Sequence, residues 1–328
     1  MKLKLLLLIY VCFALSAQAL ASNDVEDELL AMFEGSCRAV AISEAHGASN
    51  HVWLRNQLLL RKDLTDHVDI IAVEFANSFH QDLIDRYVID GEDIDINEIA
   101  KIWRDTSQLT VWDSPIYEEF FKLARQGNLN RSPDRRVRIL ALGAPIDWAN
   151  IENHEEIKPL LNRGKIMGER VRDHGVAVGR TLILVGFRHY ELGVGQSTRI
   201  VERTFPGELC VVARIYGDDE ATVHFAAQYI DNNQPKLFFP IVGTDIGGIE
   251  AKEMTYSSRR GSPKLEDIAD GVIYLGSEVT QTQNPDPTIY EGWYGEELNR
   301  RAKIMWPQFG DKFFCPQFKD MGVEAKFC

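Results

Sequence analysis

Residues 39–47 read AVAISEAHG: an apolar run, then an acid and an imidazole one residue apart, then a glycine. The run Ala39–Ser43 is continuous rather than alternating, as in a parallel strand covered on both faces. Five further runs share that character: DIIAVEF (69–75), VRILALG (137–143), TLILVGF (181–187), LCVVARI (209–215) and GVIYLG (271–276). Helical patterns lie between them. SNHVWLRNQLLLRKDL opens with Ser49 as a capping residue and spaces Val52, Leu54, Leu58 and Leu59 near the helical period. From Glu155 to His174, Ile157, Leu160, Leu161, Met167 and Val171 share one face. This alternation predicts an α/β fold, with a mostly parallel central sheet and helices on both faces. About 60 residues separate the second and third strands and carry INEIAKIWRD and PIYEEFFKLAR. A helical insertion over about 91–135, of the kind that walls a pocket, is expected there.

Residues 1–21 join a basic start (MKLK), the apolar run LLLLIYVCFALSA and small residues before Ser22. That is the pattern of a signal peptide cleaved near Ala21, too short to span a bilayer, so a periplasmic or secreted chain with no transmembrane segment is expected. About 307 residues remain, read as an α/β domain over 22–278 and a C-terminal helix with an aromatic-rich tail over 279–328. Losing Lys2 and Lys4 takes the formal charge from −13 to −15, which argues against a nucleic-acid partner. The mature chain keeps Cys37, Cys210, Cys315 and Cys328. An even count in an exported protein permits two disulfides in any of three connectivities, and a Cys315–Cys328 staple of the tail is the pairing expected.

Ligands of open α/β sheets bind beyond the carboxyl ends of the strands. Glu44 and His46 follow the first strand, Glu74 closes the second, Asp147 follows the third, and Arg188 and His189 follow the fourth. In a parallel sheet all of them lie along one edge. Each has an ordinary reading by itself: a strand-end acid that caps a helix, a loop histidine, a solvated arginine. An inert salt-bridge network is therefore one account of the set. The functional account has His46 or His189 as general base toward water, with Glu44 or Glu74 orienting the imidazole. Arg55, one helical turn from His51 on the next helix, pairs with an acid or faces an anionic substrate. Two imidazoles and two carboxylates (Glu44, His46, Glu74, His189) also suit a divalent transition metal. There is no His-Glu-x-x-His and no Gly-x-Ser-x-Gly, and GVGQST (193–198) is no Walker loop.

Glu-x-His at the first strand end, a helix arginine, AVE ending the second strand, VGFRH and the late ADGVIYLG together resemble one superfamily. It holds the erythromycin-esterase-like hydrolases, the Tiki-type metal-dependent proteases and the ChaN-type haem-binding proteins. The resemblance spans residues 38 to about 278. It implies that Glu44, His46, Glu74 and His189 serve as ligands or acid/base groups, and that Arg55 matches the helix arginine of the esterase branch. Ser43 stands where the family has Gly, and the esterases have one more residue between the Glu and the His. The expectation is an exported hydrolase of an ester or amide in a small-molecule or peptide substrate. His46 is the base, Glu44 orients it, Glu74 and His189 complete the site, Arg55 and Arg188 stabilise developing negative charge, and Asp147 contacts substrate. The alternative is a haem- or iron-complex-binding protein with His or Tyr as axial ligand.

Overall fold

The structure is a computed structural model describing residues 25–215, 220–230, 234–255, 257, 260–276, 284–308 and 313–323. The expected signal peptide lies outside the described residues. Seven strands form one sheet: β1 (Ala39–Ser43), β2 (Ile70–Asn77), β3 (Arg138–Gly143), β4 (Thr181–Val185), β5 (Leu209–Arg214), β6 (Lys236–Phe238) and β7 (Gly271–Tyr274). Their order is β3-β2-β4-β1-β5-β7-β6. All pairings are parallel except β6 with β7, where Leu237 faces Ile273. The six apolar runs are six of these strands; β6, three residues at the edge, carries no comparable signal.

Continuous apolar runs arise because both faces of the sheet are covered. Val40, Ile42, Ile71, Val73, Leu182 and Leu184 enter one core with Leu54, Leu58, Tyr117 and Phe120. Their chain neighbours Ala39, Ala41, Ile70, Ala72, Ile183 and Val185 enter the other with Met167, Val171 and Val201. Alternation survives as a choice between two buried faces.

The helices that matter for the site are α1 (Val25–Ala31), α2 (Ser49–Leu60), α3 (Pro115–Leu129), α4 (Arg163–Arg170), α5 (Gln196–Glu202), α6 (Trp293–Met305) and α7 (Cys315–Asp320). α2 begins at Ser49 itself, with Ala48 in the capping position and no side-chain cap, one residue earlier than the sequence pattern suggests. The insertion holds short turns at Ile96–Ile99 and Lys101–Arg104 and then α3, which starts on Pro115, where the missing N–H costs nothing. The C-terminal region is no loose tail: Tyr290, Tyr294, Leu298, Ala302, Phe314 and Phe318 form a third core with Ile146, Trp148 and Ile157. In α6, Glu297 binds both Arg300 and Arg301. Arg301 continues to Asp105, whose carboxylate accepts from His80 Nε2 at 2.9 Å, so a chain of charges fastens α6 to the insertion.

Cys37 and Cys210 form a disulfide with Cα atoms 5.5 Å apart, joining the entrances of β1 and β5. The expected Cys315–Cys328 bridge involves Cys328, which lies outside the described residues. No helix among the described residues is long and apolar enough to cross a membrane.

Candidate active site

β1, β2 and β4 deliver their carboxyl ends side by side. The loop after β1 is tied to β4 by the Glu44 N–H donating to the Val185 carbonyl at 2.8 Å. Gly47 then turns the chain with φ +79°, a conformation that side chains resist, which is why a glycine follows the imidazole. On β2 the pairing with β3 becomes irregular between Val73 and Asn77, and Glu74 sits in that break. Such irregularities re-aim side chains next to reactive sites.

Glu74 is the centre of the arrangement. It is 3 % exposed and ion-paired with Arg163, and it accepts a hydrogen bond from the Gly186 N–H at 2.5 Å. His46 Nε2 lies 3.8 Å from its Oε2, and His189 Nε2 lies 3.8 Å from its Oε1. Burial pushes the carboxyl up, but Arg163, the two imidazoles and the Gly186 N–H outweigh it, so Glu74 is held below the usual carboxylate range. Burial lowers the His189 pKa, with Glu74 opposing, so this imidazole is neutral at pH 7. His46 is about a third exposed and packs edge-on against Trp112, ring centroids 4.5 Å apart.

Glu44, assigned from sequence to orient His46, is engaged elsewhere. Its Oε1 accepts from Arg55 Nη1 at 2.7 Å, and Arg55 also donates to the Ile116 carbonyl at 3.0 Å. The Arg55 guanidinium lies 5.3–5.6 Å from the ring centres of Tyr117, Phe75 and Phe120. It is enclosed between β1, α2 and α3 rather than facing the open site, so its charge acts on Glu44 and on the docking of α3. Asp147 is not brought into the cluster; it caps a local turn by accepting from Ala149 N–H and Asn150 Nδ2. Arg188 is exposed at the rim.

Two cavities meet at His46. One, of about 500 Å³, is lined by Glu44, His46, Glu74, Arg163, Arg188 and His189, with Gln108 from the insertion. The other, of about 910 Å³, is walled by Thr110 and Tyr117 of the insertion and by Tyr290 and Gln317 of the C-terminal region. Its wall is braced by Asp113, which accepts from the Tyr290 and Tyr294 hydroxyls at 2.9 and 2.8 Å. Sequence reasoning missed Arg163, Gln108 and Trp112. Arg163 had a signal: it opens a helix, where the macrodipole disfavours a cation, so something else must hold it there.

No family model matches the chain, and no curated protein does. Among solved structures, an erythromycin esterase EreC mutant in its open conformation superposes with a TM-score of 0.53 at 10% identity, covering 79% of this chain and 95% of that one. A Bacillus cereus protein gives 0.54 at 10% identity, covering 81% and 94%. The fold is that of erythromycin esterase. A structure of ChaN from Campylobacter jejuni, described as binding haem cofacially, gives 0.39 at 17% identity, covering 60% and 88%.

The residues do not fit the metal expected from the sequence. Among the described residues no group of three or more His, Cys, Asp or Glu side chains is placed to hold an ion. The reason is visible in the pairing: Arg55 takes Glu44, and the Arg163 guanidinium occupies Glu74 where a cation would bind. Among the described residues that line the larger cavity there is no Lys or Arg, and the Tyr290 hydroxyl is committed to Asp113.

Proposed function

We propose that the chain is a hydrolase of carboxylic esters or amides in which His46 activates water. The observation that carries this reading is a single buried, ionised carboxylate, Glu74, flanked by His46 and His189 at the mouth of a cavity. With Nε2–H turned toward Glu74, the other ring nitrogen of His46 takes a proton from water as its oxygen attacks the carbonyl carbon. Glu74 stabilises the imidazolium that forms, and Arg163 keeps Glu74 ionised and in place. The tetrahedral intermediate collapses when the imidazolium returns the proton to the leaving oxygen or nitrogen. Arg188 and neutral His189 line the same cavity and supply donors for the oxyanion. Glu44 and Arg55 act through position, fixing the end of β1 against α3. The larger cavity gives room for a drug-sized substituent next to His46. The Cys37–Cys210 disulfide supports action in an oxidising compartment outside the cytoplasm.

The test is a panel of small and bulky aryl and alkyl esters and anilides, followed with wild type and His46→Ala. We expect kcat to fall by about 10²–10⁴ in the variant with an unchanged melting curve, the range for loss of a general base. Turnover that survives the substitution refutes the assignment of His46.

A further inference from the structure

The chain carries 49 acidic and 36 basic side chains, so most cations find an acid or a carbonyl. Arg38 meets Glu208, Arg138 meets Asp85, Arg180 meets Asp69, and Arg131 and Arg136 bind main-chain carbonyls. Arg199 and Arg203 are different. They lie four residues apart, Arg199 on α5 and Arg203 at its C-terminal cap, and both are exposed. Among the described residues no carboxylate comes within 4 Å of either, and neither guanidinium makes a hydrogen bond.

Both line a groove of about 540 Å³ between α4 and α5. The facing wall presents Lys165 and Arg172, seven residues and so two turns apart on one side of the helix and its π-helical continuation. Lys165 stands 3.8 Å from Glu169, and Arg172 forks onto Asp173 at 2.6 and 2.7 Å. The groove therefore has a cation pair on each wall and one acid, Glu169, among its lining residues. Gln196 and Thr204 add neutral donors. Its walls are fastened together: Ser197 Oγ donates to the Gly164 carbonyl at 2.8 Å, and Met167, Val171 and Val201 share one core beneath.

Glu169 and Asp173 offset two of these four cations, so the net positive potential of the groove rests on Arg199 and Arg203. Unpaired guanidinium forks match oxyanions bidentately. We propose that the α4–α5 groove is a binding site for a ligand carrying two or more phosphate or sulfate groups, one set against each wall. It stands apart from the proposed hydrolytic site and needs no assumption about it.

The test titrates the full mature chain with inorganic tripolyphosphate at low ionic strength, by calorimetry, beside Arg199→Ala/Arg203→Ala. One-to-one saturable binding, weakened about tenfold or more in the double variant, is expected for the loss of two charge-assisted contacts. No saturable binding to wild type, or equal binding to the variant, overturns the proposal. A second arm uses phosphatidylglycerol/phosphatidylcholine vesicles. Capture of wild type but not of the variant identifies a lipid headgroup as the phosphate source. Tripolyphosphate binding without vesicle capture identifies a soluble ligand. Vesicle capture that survives the double substitution also overturns the assignment to this groove. Matching circular dichroism spectra and melting curves confirm that the variant is folded.

Discussion

Two buried acids end the strands that flank β4 in this sheet, and each is paired with an arginine, yet only one faces a pair of imidazoles. Arg55, which takes Glu44, is sealed under three aromatic rings and donates to a main-chain carbonyl. Glu74 and Arg163 form the floor of a cavity, with two imidazoles set just beyond hydrogen-bonding distance. The difference is in what covers them. Over the first pair, α3 closes; over the second, the helical insertion stops short and leaves Gln108 at the rim. A strand-end carboxylate with an arginine is thus a structural unit until something reactive is left facing it.

Breaking the closed pair should cost the most. Arg55→Ala strips the only ion-pair partner that Glu44 has among the described residues and leaves its charge in the core, a loss of about 3–5 kcal/mol of stability in urea unfolding. Replacing both, as Glu44→Leu with Arg55→Met, should restore much of that loss, because an apolar pair of similar volume carries no desolvation penalty. The open pair should behave in the opposite way. Glu74→Gln keeps the shape and one acceptor oxygen, and Arg163 is 24% exposed and can turn to water, so the fold should hold while kcat falls by about 10²–10³, the loss of a charge that stabilises the imidazolium. If Glu74→Gln unfolds the chain and Arg55→Ala does not, the two pairs have been read the wrong way round.

The histidines sharpen the same contrast by pH. His51, one turn before Arg55 on α2, is buried; that burial, with Arg214, Arg55 and His46 adding repulsion, lowers its pKa to about 3. Between that value and the ordinary 6.5 the unfolded chain binds a proton that the folded chain does not. Stability therefore rises with pH through this window and is flat above it. Between pH 4 and pH 7 the His51 contribution is at most about 3 kcal/mol. In His51→Leu the difference between urea midpoints at those two pH values should shrink. The depressed carboxyl of Glu74 has a different window: its stabilisation is present above the ordinary carboxylate pKa and is lost only as pH falls through the lower folded value.

Six strands were legible because each announces itself as an apolar run of five to seven residues, and the convergence of His46, Glu74 and His189 follows once those strands are parallel. Which acid belongs to which imidazole was not legible. Glu44 and Glu74 follow similar apolar runs, and their fates depend on residues far along the chain, Ile116 and Tyr117 of the insertion and Arg163 of α4. Cys37 and Cys210 are 173 residues apart and meet only because β1 lies beside β5. The third core was invisible for the same reason: its aromatics lie at one end of the chain and its partners Ile146 and Trp148 follow β3.

The smallest expected effect separates function from stability most cleanly. Gly186 ends β4 with φ −62° and ψ 133°, a conformation any residue accepts. Its glycine is therefore not explained by the backbone. It is explained by space: a Cβ there would stand 3.3 Å from Glu74 Oε2 and 3.5 Å from His46 Nε2, in the gap across which acid and base face each other. Gly186→Ala should leave stability unchanged or raise it by about 0.5 kcal/mol, since the unfolded chain loses freedom and the folded backbone is unstrained. It should also push His46 and Glu74 apart by a few tenths of an ångström and cut kcat/KM by about tenfold, because catalytic contacts tolerate little displacement. A variant both more stable and fully active would mean that the His46–Glu74 contact plays no part in turnover, and that the open pair is as structural as the closed one.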